Sequence, residues 1–117
     1  MIIQLNTDTH VHGSQAFAQD VTLELERSLA RFSSQITRIE VHFQDANGDR
    51  GGARDKRCML EARIAGADPI AVTETADSVR GALVGARDKL VRVLEKRVSR
   101  LRPPKGRDPF ESNEISL

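Results

Sequence analysis

Two stretches of this chain alternate apolar and polar residues without a break. Residues 37–44 place Ile39, Val41 and Phe43 on one side and Arg38, Glu40 and His42 on the other. Residues 56–64 repeat the pattern, with Cys58, Leu60, Ala62 and Ile64 opposed to Arg57, Met59, Glu61 and Arg63. A period of two is the mark of a β-strand buried on one face and wet on the other. Such strands demand a sheet with one covered side, so the rest of the chain must supply the cover.

Two helical patterns can do so. Ser14 is a good N-cap, and Phe17, Val21, Leu25, Leu29 and Phe32 then recur at three- and four-residue spacing, predicting an amphipathic helix that ends near Ser33-Ser34. A second helix is predicted over 75–101, where Val79, Leu83, Ala86, Leu90, Leu94 and Leu101 share a face at about 100° per residue. Pro103-Pro104 stops it, because proline lacks the amide and clashes with the preceding turn. Residues 2–5 read as a short first strand and 70–74 as a fourth, with a turn at 66–69 between strands three and four. Residues 45–56 hold three glycines and no large apolar side chain, and read as a mobile hairpin loop longer than most.

The order is therefore β-α-β-β-β-α. The economical packing is a two-layer α+β domain, a four-stranded sheet with both helices on one face. The first helix forms a crossover, which makes strands one and two parallel and the remaining pairs antiparallel. Residues 1–102 are expected to form this one domain, and 103–117, polar and without periodicity, a disordered tail.

Composition excludes several functions. With 117 residues, 38% apolar and 30% charged, the core is thin. Tyr and Trp are absent and there are four Phe, too few aromatic platforms for a protein that stacks single-stranded bases. One cysteine, Cys58, permits no internal disulfide and no Cys-based zinc site, and its place on the apolar side predicts a buried thiol, not a nucleophile. His10 and His12 lack a third ligand, Asp8 and Asp55 lack an acid–base partner, and the glycines at 48, 51 and 52 join two strands and precede no helix. No catalytic centre, metal, cofactor or small-molecule substrate is expected. The N-terminal residues do not read as a signal peptide, no apolar run approaches the ~20 residues of a membrane span, and the expected setting is the cytoplasm.

Charge is distributed unevenly. Residues 76–102 carry eight Lys or Arg against three acids, a net of +5, while 1–75 carry a net of −3. Within the second helix Lys89, Arg92, Lys96 and Arg100 share a stripe about 16 Å long. A row of cations on a rigid element suits a polyanion such as a nucleic-acid backbone; the plain alternative is a solvated helix face. A helix C-terminus attracts cations in any case, which accounts for some of the excess near Arg97 and Arg100 but not for Lys89. Gly81 and Gly85 interrupt the helix, either for close packing or for close approach of an RNA backbone.

The run Asp88-Lys89-Leu90-Val91-Arg92-Val93-Leu94-Glu95-Lys96 resembles the last helix of the bacterial hibernation-promoting factor and ribosome-associated inhibitor family, which reads approximately D-K-L-x-R-x-L-x-K. The first helix, with Phe17, Val21 and Phe32 before a strand of the type I-x-x-V-x-V, is similar too, and residues 51–63 resemble a short, divergent branch of ribosome-associated proteins. The family's D-x-Y-x-A-I-D pattern is replaced by Asp77-Ser78-Val79-Arg80-Gly81-Ala82-Leu83, without the tyrosine. The resemblance, over residues 1–102, implies the same fold and a non-enzymatic translation regulator. That regulator would bind the ribosomal RNA of the small subunit and block the messenger and transfer RNA sites. It implies RNA contacts at Lys89, Arg92, Lys96 and Arg97, to which the stripe adds Arg100, and at Arg27 and Arg31 of the first helix. The expected fold is also similar to double-stranded RNA-binding domains, but those begin the last helix with a Lys-rich motif, and this chain has Thr75-Ala76-Asp77-Ser78 there. A rival reading is a protein-interaction module that uses the open sheet face (Arg38, His42, Arg57, Met59 and Arg63) against an acidic partner.

Overall fold

The computed structural model describes residues 1–7, 15–45 and 56–101, the side chains of 98–101 excepted. The expectations for Ser14, His10, His12, Asp8, Asp55, the loop glycines and the tail lie outside the described residues. The elements are β1 (Ile2–Thr7), α1 (Gln15–Ser28), a 3-10 turn (Ala30–Phe32), β2 (Ile36–Asp45), β3 (Lys56–Ile64), β4 (Ile70–Ala76) and α2 (Val79–Leu101). The strands form one sheet in the order β1-β2-β3-β4. β1 runs parallel to β2, and the other two pairs are antiparallel. This is the α+β arrangement that the alternating strands and two amphipathic helices require.

Register explains the single core. Val41 lies beside Leu60 and Phe43 beside Cys58, and Leu60 in turn lies beside Val72. Each alternating apolar set is therefore brought onto the same side of the sheet. Val21 and Leu25 of α1 and Ala82, Leu83, Ala86, Leu90 and Leu94 of α2 close over that side, and all are buried with Ile39, Val41, Phe43, Leu60 and Ile64. The Phe17 ring of α1 lies 5.4 Å from that of Phe43, tilted by 54°, while α2 covers β3 and β4. Both helices thus occupy one face. Among the described residues, no helix lies on the side of the sheet that carries Arg38, Glu40, His42, Arg57, Met59 and Glu61.

Four boundaries differ from the periodicity by two residues or more. β1 continues to Thr7 because its parallel register with β2 holds as far as Thr7 beside Phe43. The first helix ends at Ser28, not Ser33-Ser34. The chain then tightens: Phe32 N–H donates to Leu29 O at 2.9 Å and Ser33 N–H to Ala30 O at 3.1 Å. A three-residue repeat turns Leu29 and Phe32 to the same side, and both are buried. β4 continues to Ala76 because Thr75 and Ala76 pair with Arg57 and Lys56. That pairing delays α2 to Val79, where Ser78 caps it by accepting from Gly81 N–H at 2.9 Å.

Candidate nucleic-acid interface

α2 runs back along β4. Its buried stripe of Leu83, Ala86, Leu90 and Leu94 fixes the rotation of the helix, and that rotation turns Lys89, Arg92 and Lys96 toward the free edge of β4. Between this flank and the strand lies an open groove of about 320 Å³, lined by Val72, Thr73, Lys89, Arg92, Val93 and Lys96.

The row is not uniform. The Lys89 ammonium is held by β4: it lies 2.7 Å from Glu74 Oε1 and donates to the Thr73 carbonyl at 2.8 Å. Arg92 and Lys96 reach solvent, and neither makes a hydrogen bond or ion pair among the described residues. These two have their charge free for an external anion. Lys89 is partly neutralised where it stands, and it also satisfies a carbonyl at the sheet edge.

Glu74 explains Gly85. Ile70, Val72 and Glu74 alternate toward α2, so a carboxylate occupies an apolar parity. A Cβ at position 85 would lie 2.5 Å from Glu74 Cγ, and only glycine leaves room for that side chain. At Gly81 a Cβ would meet Ser78 Oγ at 3.0 Å and Ala76 Cβ at 3.2 Å. Both glycines therefore serve close packing against β4 and the helix start. Hydrophobic periodicity does not single out Glu74; its charge at the parity of Ile70 and Val72 is the one signal of its role in the sequence.

The other expected contact residues are dispersed. The Arg97 guanidinium donates to the Asp68 carbonyl at 3.3 Å, in the turn before β4. Arg31 is ion-paired with Glu95 of α2, and its guanidinium lies 4.8 Å from the Phe32 ring centroid. Arg27 stands exposed in the last turn of α1. Arg100 lies on α2, with its side chain outside the described residues. A second network ties the helices together: Glu24 of α1 pairs with Arg87 and lies 3.7 Å from Arg80, and Arg87 also bonds Asp88 at 2.9 Å. The hydrogen bond to Asp88 holds Arg87 still more firmly protonated than an ordinary arginine; burial opposes this, and the bond to Glu24 adds to it. Arg80 and Arg87 therefore add less external field than their formal charges suggest.

The open sheet face neutralises itself in part. Arg38 lies 3.4 Å and His42 3.6 Å from opposite oxygens of Glu40, and Arg63 lies 3.6 Å from Glu61. A shallow hollow of about 340 Å³ at one end is lined by residues that include Asn6, His42, Arg57 and Met59. Cys58 is fully buried, and desolvation pushes its thiol up to about 12, far from a reactive thiolate. Among the described residues no group of three or more His, Cys, Asp or Glu could hold a metal ion, and no helix is long and apolar enough to cross a membrane.

What the fold and the α2 flank define together is a small α+β domain with a cationic rim. The chain belongs to the sigma 54 modulation protein / S30EA ribosomal protein family, whose model matches residues 5–102. It is thus a ribosome-associated modulation protein, as the resemblance in its last helix implied. Its fold is similar to that of a ribosomal subunit interface protein from Coxiella burnetii, with a TM-score of 0.66 and 20% identity over 85% of this chain and 99% of that one. It is also similar to the N-terminal domain of Thermus thermophilus Protein Y, with a TM-score of 0.63 and 20% identity over 87% of this chain and 100% of that one. No curated protein matches the chain.

Proposed function

We propose that this protein is a non-enzymatic, cytoplasmic translation regulator that binds the ribosomal RNA of the small subunit and blocks the messenger and transfer RNA sites. The observation that carries this reading is the ribosomal family match over residues 5–102. The free cations Arg92 and Lys96 supply its chemistry. Phosphate neutralisation at these two residues supplies affinity that depends on salt and on the shape of the RNA, with little reading of base sequence. Arg27, Arg97 and Arg100 extend the contact, while Lys89 and Arg31 join it by exchanging their internal carboxylates, Glu74 and Glu95, for phosphate. Residues 1–102 are the binding domain and 103–117 an appended tail.

The test is sedimentation of the protein with isolated small and large ribosomal subunits across a salt series, followed by messenger and transfer RNA binding to the loaded small subunit. Association with the small subunit that weakens with salt, together with exclusion of both RNAs, is the expected result. Association with neither subunit would overturn the proposal.

A further inference from the structure

The groove between β4 and α2 has a feature that a phosphate row does not need: one of its walls is the free edge of a strand. β4 is the last strand of the sheet and, among the described residues, pairs only with β3. The Thr73 carbonyl points out of that edge, because the Lys89 ammonium reaches it at 2.8 Å. Along a strand the N–H and C=O of one residue point the same way, so the Thr73 amide also faces outward, and Ala71, two residues earlier, shares the orientation. The outward groups of an edge strand are a template for another extended chain.

The opposite wall complements such a chain. α2 is antiparallel to β4: Gly81 lies against Ala76, Gly85 and Lys89 against Glu74, and Arg97 reaches Asp68. A strand added to β4 would therefore run along the helix. Arg92 and Lys96, four residues apart, are separated by about 6 Å along the helix axis. Side chains on one face of a strand repeat every ~6.6 Å. Carboxylates at alternate positions of an added strand would match both cations, above a floor of Val72 and Val93. Among the described residues no aromatic lines the groove, so they offer a nucleobase nothing to stack on.

From this geometry we infer that the β4–α2 groove is a docking site for an extended acidic peptide with carboxylates at alternate positions, added as a fifth strand antiparallel or parallel to β4. The peptide's backbone bonds to Ala71 and Thr73, and its acids pair with Arg92 and Lys96. Lys89 acts as a plug. It keeps the Thr73 carbonyl satisfied in the free protein and yields it to a peptide amide when the strand arrives. Because the peptide and RNA use the same two cations, the two ligands exclude one another. The inference stands on the strand edge and does not require the ribosome reading to hold.

The experiment is titration of the full chain with the capped octapeptide Ser-Glu-Val-Glu-Val-Glu-Val-Ser, with three comparisons. The first is the same peptide N-methylated at every Glu and Val, which removes the amide donors on both of its edges and keeps its charge. The second is a peptide of the same composition with the three glutamates contiguous. The third is Thr73→Pro, which removes an outward amide without breaking a bond to β3 and is checked for folding by its thermal melt. We expect the alternating peptide to bind and Arg92→Glu/Lys96→Glu to abolish binding. N-methylation and Thr73→Pro should each weaken it about tenfold or more, as loss of backbone hydrogen bonds entails. Failure of the alternating peptide to bind, or equal binding of the N-methylated or contiguous peptide, would overturn the inference and leave the groove a polyanion surface.

Discussion

Replacing Arg92 and Lys96 together by glutamine tests whether the free cations of α2 contact phosphate. Removing one cation–phosphate pair flattens the slope of log affinity against log salt by about 0.7 on a single strand and about 0.9 on a duplex. Removing two therefore takes about 1.4–1.8 from the slope. Between about 50 and 200 mM salt the wild-type protein should lose about tenfold more affinity than the double variant. Lys89→Gln is the informative comparison, because Lys89 lies in the same row but is held by Glu74 and the Thr73 carbonyl. Its replacement takes the ammonium away from a half-buried carboxylate. The cost is about 1 kcal/mol of stability, below the ~1.5–3 kcal/mol of a charged hydrogen bond, since the Lys89 side chain is 44% exposed and water screens the pair. Its salt slope should change by less than that of either Arg92→Gln or Lys96→Gln alone. The assay is small-subunit binding by sedimentation across a series of salt concentrations, with denaturant melts of each variant and Arg38→Glu as an open-face control. Equal slopes for wild type and the Arg92/Lys96 variant would refute the phosphate row. A Lys89→Gln slope as flat as the others, with no loss of stability, would refute the division of labour between bound and free cations.

Leu90→Ala should cost about 2–5 kcal/mol, since Leu90 is fully buried between α2 and the sheet and its truncation leaves a cavity; a denaturant-melt difference below about half a kcal/mol would place Leu90 outside the core. Gly85→Ala should destabilise despite the ~1 kcal/mol of helix propensity it gains, because the new methyl would sit 2.5 Å from Glu74 Cγ and force that side chain away from Lys89; a rise in melting temperature would count against this packing. Cys58 should resist thiol reagents in the folded protein and react on unfolding. Its proton is held to about 12 against 9.0 in an exposed thiol, so the unfolded chain ionises first. Its contribution to stability is complete below pH 9 and declines as pH rises from 9 toward 12, a component that Cys58→Ala should lack in pH-dependent melts.

The local patterns of this chain fix its elements and their faces. The alternation through Ile39, Val41 and Phe43 and through Cys58, Leu60 and Ala62 identifies which side of the sheet is buried, and the spacing of Leu83, Ala86, Leu90 and Leu94 does the same for α2. The position of the cationic row follows from the same wheel, because a residue's direction on a helix depends only on its number. Periodicity is blind to what lies across the fold. That Lys89 is tied down while Arg92 and Lys96 are free depends on where Glu74 falls in the β3–β4 register and on how α2 lies over it. The pairing of Arg31 with Glu95 spans sixty-four residues, and no local signal encodes it. The short 3-10 turn after Leu29 and the late start of α2 were likewise set by packing and strand pairing, which outweigh helix propensity at the ends of elements. Local pattern was enough to specify a one-sided sheet under two helices with its positive charge on the last of them. Which of those charges are spent inside the molecule, and which remain for a partner, depended on the folded chain, because an ion pair needs two groups within about 4 Å and only the fold sets that distance.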